Sequence, residues 1–216
     1  MRRPVTIINP NSTEAMTHSM LAAAQRYAPS LNLVGRTSTS GPASIQGRED
    51  GQRAEQPLMN EVKSVADTSQ GIIIGCFDDT ALAEVSKSVS IPVIGIGQAA
   101  FHFCALKGWR FSVVTTLAVS VPIIEENIHS YGLGGFLGCV RASAVPVLEL
   151  ESNPQLASQR ILTETNIALE NDNVDAVVLG CAGMVNVVET VRRNVEAPIV
   201  DPIEAAAGCA GWLCNA

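Results

Sequence analysis

The chain has 216 residues and a formal net charge of −7, and is 47% hydrophobic but only 16% charged, against roughly 25% charged in average globular usage. That length buries a substantial core in one domain or two small ones. The acidic balance, with no basic run beyond Arg2-Arg3 and Arg192-Arg193, argues against a nucleic-acid partner.

Val5–Asn9 reads as a buried strand, and Asn9-Pro10-Asn11-Ser12-Thr13 as a polar turn rich in helix-capping residues. The apolar run stops at Asn9, too early for a signal peptide behind Arg2-Arg3. Residues 14–27 carry helix signals closed by Pro29, and 32–37 form a second strand. Residues 38–51 are a long loop by their Gly, Pro and Ser content. A helix over 54–67 leads into the strand before Cys76, and a helix over 80–88 comes after it. Strand 92–96, helix 98–107, strand 111–116 and helix 119–131 come next. Strand 137–144, a connection over 145–151, helix 154–170 and the strand before Cys181 continue the chain. A helix through Val195, a short strand at Ile199 and an apolar helix from Ile203 complete it. Strands alternating with helices imply parallel strands between helix layers, an α/β fold. No stretch gives about 18 uninterrupted apolar residues, so no membrane span is expected.

Two stretches share one grammar. Gly71-Ile72-Ile73-Ile74-Gly75-Cys76 and Ala176-Val177-Val178-Leu179-Gly180-Cys181 are each an apolar run ending in Gly-Cys and a turn. Their cysteines lie 105 residues apart (181 − 76). Pro92 and Pro198, and Asn9 and Thr115, hold an offset of 106 (198 − 92; 115 − 9). This repeat predicts two pseudo-symmetric lobes facing one another across a cleft. Residues 1–97 with 201–216 make the first lobe and 98–200 the second.

Chemistry in such sheets gathers at the carboxyl ends of the strands. Asn9/Asn11, Cys76, Thr115/Thr116 and Cys181 fall there as two equivalent pairs. A cysteine at a helix N-terminus has its thiolate favoured by unpaired N–H groups and the helix dipole, so both thiols are expected to be reactive. A single such cysteine would suggest a nucleophile served by a histidine. His18, His102 and His129 all fall within predicted helices instead. Cys104, Cys139, Cys209 and Cys214 lack the Gly-Cys-turn context and read as structural free thiols. No C-x-x-C pair or His cluster suggests a metal, and neither a lysine nor a Gly-rich loop is placed for pyridoxal phosphate. The expectation is therefore a cytoplasmic protein with no cofactor and no metal. Two mirrored cysteines suit racemisation of a carbon acid, with a base on one face and an acid on the other.

The chain resembles the hydantoin and allantoin racemases of the aspartate/glutamate racemase superfamily. The resemblance rests on Ile8-Asn9-Pro10-Asn11-Ser12-Thr13, Gly41-Pro42-Ala43-Ser44-Ile45, Cys76-Phe77-Asp78-Asp79, Pro92 to His102, Arg110 to Leu117, Pro146 to Leu150, and Val178 to Met184. It implies a two-lobed α/β fold with the active site between the lobes, and cofactor-free racemisation at C5 of a hydantoin ring by Cys76 and Cys181. It further implies that Asn11, Ser44, Ile45, Phe77, Asp78, Thr115, Thr116, Ala182 and Gly183 contact the ring. Two departures from the family's pattern stand out: Thr80-Ala81 stands where Pro-Gly is common, and Gln46 where Glu is. The alternatives are an allantoin racemase, a related amino-acid racemase or isomerase, and a two-lobed protein that binds an anion without turnover. Few charges and an apolar final helix point to a homo-oligomer.

Overall fold

The computed structural model describes residues 3–214; Arg2 of the basic pair noted above, and residues 1, 2, 215 and 216 of the expected first lobe, lie outside the described residues. The strands are β1 Val5–Asn9, β2 Leu33–Thr37, β3 Gly71–Ile74, β4 Val93–Gly95, β5 Phe111–Thr115, β6 Leu137–Ala142, β7 Ala176–Gly180 and β8 Ile199–Val200. The α-helices are α1 Glu14–Tyr27, α2 Arg48–Val65, α3 Leu82–Ser88, α4 Ile96–Leu106, α5 Val121–Ser130, α6 Glu149–Ser152, α7 Pro154–Asn171, α8 Val188–Asn194 and α9 Pro202–Leu213.

Among the described residues the strands form two four-stranded sheets, in the orders β2-β1-β3-β4 and β6-β5-β7-β8, all parallel. The two orders are the same order repeated. Val5 pairs with both Leu33 and Gly71, and Phe111 pairs with both Leu137 and Ala176. Helices repeat as well: α2 and α7 begin 106 residues apart (154 − 48), as do α3 and α8 (188 − 82) and α4 and α9 (202 − 96).

Central strands β1, β3, β5 and β7 are buried along their whole length, as parallel strands covered on both faces must be. Edge strand β2 is buried only at Leu33. The two-residue period of a strand then divides the core. Val5, Ile7, Ile73, Val113 and Val178 face one cluster shared by both sheets through α1, α4, α5 and α9. Ile8, Ile72 and Ile74 face a cluster with α2 and α3, and Val114, Val177 and Leu179 one with α7 and α8. Rings join the halves: Phe77 meets Phe101 edge-on at 5.3 Å, and Phe101 stacks on Phe111 at 5.6 Å.

Several boundaries differ from those expected of the sequence. The 38–51 loop is shorter, because α2 starts at Arg48. The 145–151 connection ends in the short helix α6. The turn residues after Asn9 do not cap α1: Thr13 Oγ1 donates to Ala43 O at 2.7 Å and ties the 38–47 loop down instead. Gly41 permits this close approach, since a Cβ there would stand 2.4 Å from Pro10 O. No helix among the described residues is long and apolar enough to cross a membrane.

Candidate active site

In the first sheet β1 is flanked by β2 on one side and β3 on the other, and in the second β5 is flanked likewise by β6 and β7. A topological switch point therefore falls between β1 and β3, and another between β5 and β7. Crevices at such points, beyond the carboxyl ends of the strands, are where open α/β sheets bind ligands. The turns after β1, β3, β5 and β7 wall a single small cavity of about 30 Å³. Its lining contains Cys76 and Cys181, and from the expected contacts Asn11, Ile45, Phe77, Asp78, Thr115, Thr116, Ala182 and Gly183. Ser44 is outside this lining, in the loop that α2 ends. Met16, Ser120 and Val147 also belong to the lining. They lie on α1, before α5 and in the loop before α6, positions where the sequence carries no local mark of chemistry. Three larger clefts, of about 470, 700 and 360 Å³, contain neither Cys76 nor Cys181.

The two cysteine turns match in outline. Asp79 N donates to Cys76 O and Met184 N to Cys181 O, both at 3.1 Å. Beyond these bonds the two turns diverge. Cys181 precedes a 3-10 turn over Ala182–Asn186. After Cys76 the helix begins only at Leu82, because Asp79 and Ala81 adopt left-handed φ of 48° and 51°. The expectation of thiolates favoured by helix N-termini is therefore corrected. Burial pushes the Cys76 thiol well above its ordinary range and Cys181 up to about 12. The charge of Asp78 adds to both shifts, and each thiol is relieved only in part by hydrogen bonds. Desolvation of a thiolate in a closed cavity outweighs a few amide dipoles. The charge of Cys181 also opposes that of Cys76, so the pair resists losing both protons.

Polar groups around the thiols are held by short networks. Asn11 Oδ1 accepts from Asn9 Nδ2 and Thr13 N, both at 2.9 Å, which leaves its amide nitrogen 3.5 Å from Met16 Sδ beside the cavity. Thr115 Oγ1 donates to Gly180 O at 2.9 Å and so ties the second switch point together. Asp79 is a clamp: its carboxylate accepts from Gly97 N (3.0 Å), Gln98 N (2.7 Å) and Tyr131 Oη (2.9 Å). It thereby caps α4 and joins the Cys76 turn to the end of α5. Burial pushes its carboxyl up to about 7, while the three donors pull the other way. The rim is closed by bonds between the two halves. Gln46 Oε1 accepts from Val147 N at 3.0 Å, Arg48 pairs with Glu126 at 2.6 Å, and Asn127 Nδ2 donates to Asp78 O at 2.8 Å. Gly47 holds a positive φ of 81° with Val119 O beside it, where any Cβ would sit 2.9 Å from that oxygen.

Asp78 stands in the wall between the thiol cavity and the 470 Å³ cleft outside it. Its Oδ2 is buried and has no hydrogen-bond partner, and burial pushes its carboxyl up to about 7 despite the N–H of Gly47. A folded-state value above the ordinary 3.8 means the neutral acid is favoured by folding. The associated stability is fully present below about pH 4 and is lost as the pH rises through about 7. Asp78→Asn carries no such penalty. It is expected to be more stable than the parent at pH 8 by roughly 2 kcal/mol, with the gain shrinking towards pH 4. Urea midpoints of both proteins at pH 8, 6 and 4.5 check this; an equal difference at all three would mean Asp78 is not the titrating group.

The remaining thiols and the imidazoles lie elsewhere. Cys104 is buried in α4, and all six cysteines are free. His18 and His129 are exposed, and His102 Nδ1 lies 2.8 Å from Gln98 O. None of these lines the thiol cavity.

This geometry defines a class: two parallel α/β halves presenting one thiol each to one small cavity. A family model described as Asp/Glu/Hydantoin racemase matches residues 5–210. Over 216 aligned residues the chain is 38% identical to a hydantoin racemase of Rhizobium meliloti, covering 98% of this chain and 89% of that one. It is 30% identical to a hydantoin racemase of Pseudomonas sp. (strain NS671), over 93% and 82% of the two chains. Among solved structures, allantoin racemase from Pseudomonas fluorescens superposes with a TM-score of 0.94 at 30% identity, covering 100% and 91%. Allantoin racemase from Klebsiella pneumoniae does so with 0.93 at 31%, covering 99% and 88%. The chain belongs to the Asp/Glu/Hydantoin racemase family. It is a racemase, and its substrate is a small molecule.

Proposed function

We propose that the protein interconverts the enantiomers of a 5-substituted hydantoin by proton transfer at C5, with Cys76 and Cys181 on opposite faces of the ring. The observation that carries this reading is the pairing of two free thiols in one cavity, each behind the same strand-Gly-Cys turn. The reacting form holds one thiolate and one thiol. The thiolate removes the C5 proton, leaving an enolate beside the ring carbonyl, and the opposite thiol returns a proton to the other face. Their roles then reverse for the other enantiomer. A thiolate made more basic by burial is a stronger base towards a carbon acid. Main-chain N–H groups in the two cysteine turns, the amide of Asn11 and the hydroxyl of Thr116 are the donors available for ring oxygens. No step in this scheme calls for a cofactor.

A cavity of about 30 Å³ has room for little more than a water or two, so the ring enters as the Gln46, Arg48 and Asn127 contacts at the rim part. Allantoin, a hydantoin with a ureido group at C5, is the second substrate reading, favoured by the two allantoin racemase structures. Phe103 and Trp212 are exposed and line, with Trp109, one cleft of about 700 Å³. We take this apolar face as the contact of a homo-oligomer in the cytoplasm. Polarimetry of single enantiomers of allantoin and of hydantoins with alkyl, aryl and thioether groups at C5 tests the function. Decay of rotation above the spontaneous rate is expected for at least one; decay for none of them, in freshly reduced protein, would overturn the reading.

A further inference from the structure

Laid on one another at the repeat offset, the two cysteine turns do not offer their thiols the same donors. Two main-chain N–H groups, those of Gly183 and Met184, favour the Cys181 thiolate. One favours that of Cys76, the N–H of Asp78, the counterpart of Gly183 (183 − 78 = 105). The counterpart of Met184 is Asp79; each N–H bonds the carbonyl of its own cysteine at 3.1 Å, but only that of Met184 also favours the thiolate of its turn. A second donor reaches Cys76 from elsewhere: Thr80 Oγ1 donates to Cys76 Sγ at 3.3 Å, and Thr80 is 6% exposed. The residue at the matching place in the other turn is Val185, buried and with an apolar side chain (185 − 80 = 105).

We propose that Thr80 is a positioning residue for Cys76, its hydroxyl giving this thiol a side-chain donor where the Cys181 turn relies on its main chain. The inference rests on the two-thiol reading above. Its physical basis is the symmetry of the reaction. Enantiomers have equal free energy in water, so a site that serves both faces works best when its two thiolates are matched. An unmatched pair would rest with the proton stuck on one side.

The local backbone is built to aim this hydroxyl. Thr80 lies between two non-glycine residues in the left-handed region, Asp79 and Ala81, a conformation kept only where surroundings impose it. The surroundings here are the three donors on the Asp79 carboxylate. Leu82 N in turn donates to Asp79 O at 3.0 Å and starts α3 only after the hydroxyl has been turned onto the sulfur. Removing that donor raises the free energy of the Cys76 thiolate and leaves that of Cys181 alone.

The test is the alkylation rate of each cysteine by iodoacetamide, followed by peptide mass spectrometry in Thr80→Val and Thr80→Ser. Loss of one hydrogen bond to a charged sulfur shifts its titration by about one pH unit. Partial compensation by the higher nucleophilicity of a more basic thiolate leaves about threefold slower labelling at pH 8. In Thr80→Val the expected result is that slowing at Cys76 alone, with Cys181 at the parental rate. The rise of kcat/KM with pH moves to more alkaline pH, by the same factor for both enantiomers, since their equilibrium constant is one. Thr80→Ser restores both readouts. Should the valine variant fail to fold, Thr80→Ala, smaller and free of any clash, supplies the same comparison. An unchanged Cys76 rate, equal slowing at both cysteines, or a serine variant that behaves as valine would overturn the assignment. The two-thiol reading fails separately, if Cys76→Ser racemises at the parental rate.

Discussion

Cys76→Ser and Cys181→Ser are each expected to lower racemisation by about 10²–10⁴-fold, the usual contribution of a positioned acid or base. A serine hydroxyl barely ionises near neutral pH, so it neither takes nor returns the C5 proton efficiently. Racemisation needs both groups, whereas proton removal from one enantiomer needs only the surviving thiolate. Each variant is therefore expected to exchange C5–H for solvent deuterium in one enantiomer only, and the two variants in opposite ones. The surviving thiol is buried and shifted upward in either case, so exchange in both is expected to rise with pH. Substrate binding changes little, because serine is close in size to cysteine. The measurement is NMR-followed exchange of each pure enantiomer, corrected for the spontaneous reaction. Exchange of the same enantiomer by both variants would sink the opposed-thiol mechanism.

Asp79→Ala is expected to cost about 3 kcal/mol of stability and most of the activity. The substitution leaves Gly97 N, Gln98 N and Tyr131 Oη without their acceptor in a buried place, at about 1–3 kcal/mol for each donor that water cannot reach. Relief from burying a carboxylate offsets part of that sum. It also uncaps α4 and frees the turn that carries Cys76 and Thr80. Tyr131→Phe removes one of the three donors but not the acceptor, so its loss is expected to be near ~1 kcal/mol. Urea unfolding of both variants, with kcat and KM measured below the transition, checks the ranking. A stability loss under about 1 kcal/mol for Asp79→Ala would show that the carboxylate does not clamp the turn.

Much of the architecture is local pattern and was readable as such. Continuous apolar runs such as Gly71–Ile74 and Ala176–Gly180 fit strands covered on both faces, and their 105-residue spacing holds to within a residue through the sheets and three helix pairs. Position at the carboxyl end of a strand is likewise a property of chain order, so Cys76, Cys181, Asn11, Thr115 and Thr116 could be brought to one place from the repeat alone. Their surroundings could not. Met16, Ser120 and Val147 enter the cavity from segments far apart in the chain, while Ser44, next to Ile45, stays out. The state of the thiols went against the local signal, because desolvation depends on how four turns close over the sulfur rather than on the residues beside it. Thr80 has the same character: its sequence position promises only the start of a helix. Two left-handed residues, anchored through Asp79 to α4 and to Tyr131 of the other half, turn its hydroxyl onto Cys76. Periodicity and spacing determine which elements form and in what order. Burial, donor direction and the charge a cavity tolerates are set by atoms distant in sequence, and only the tertiary structure decides them.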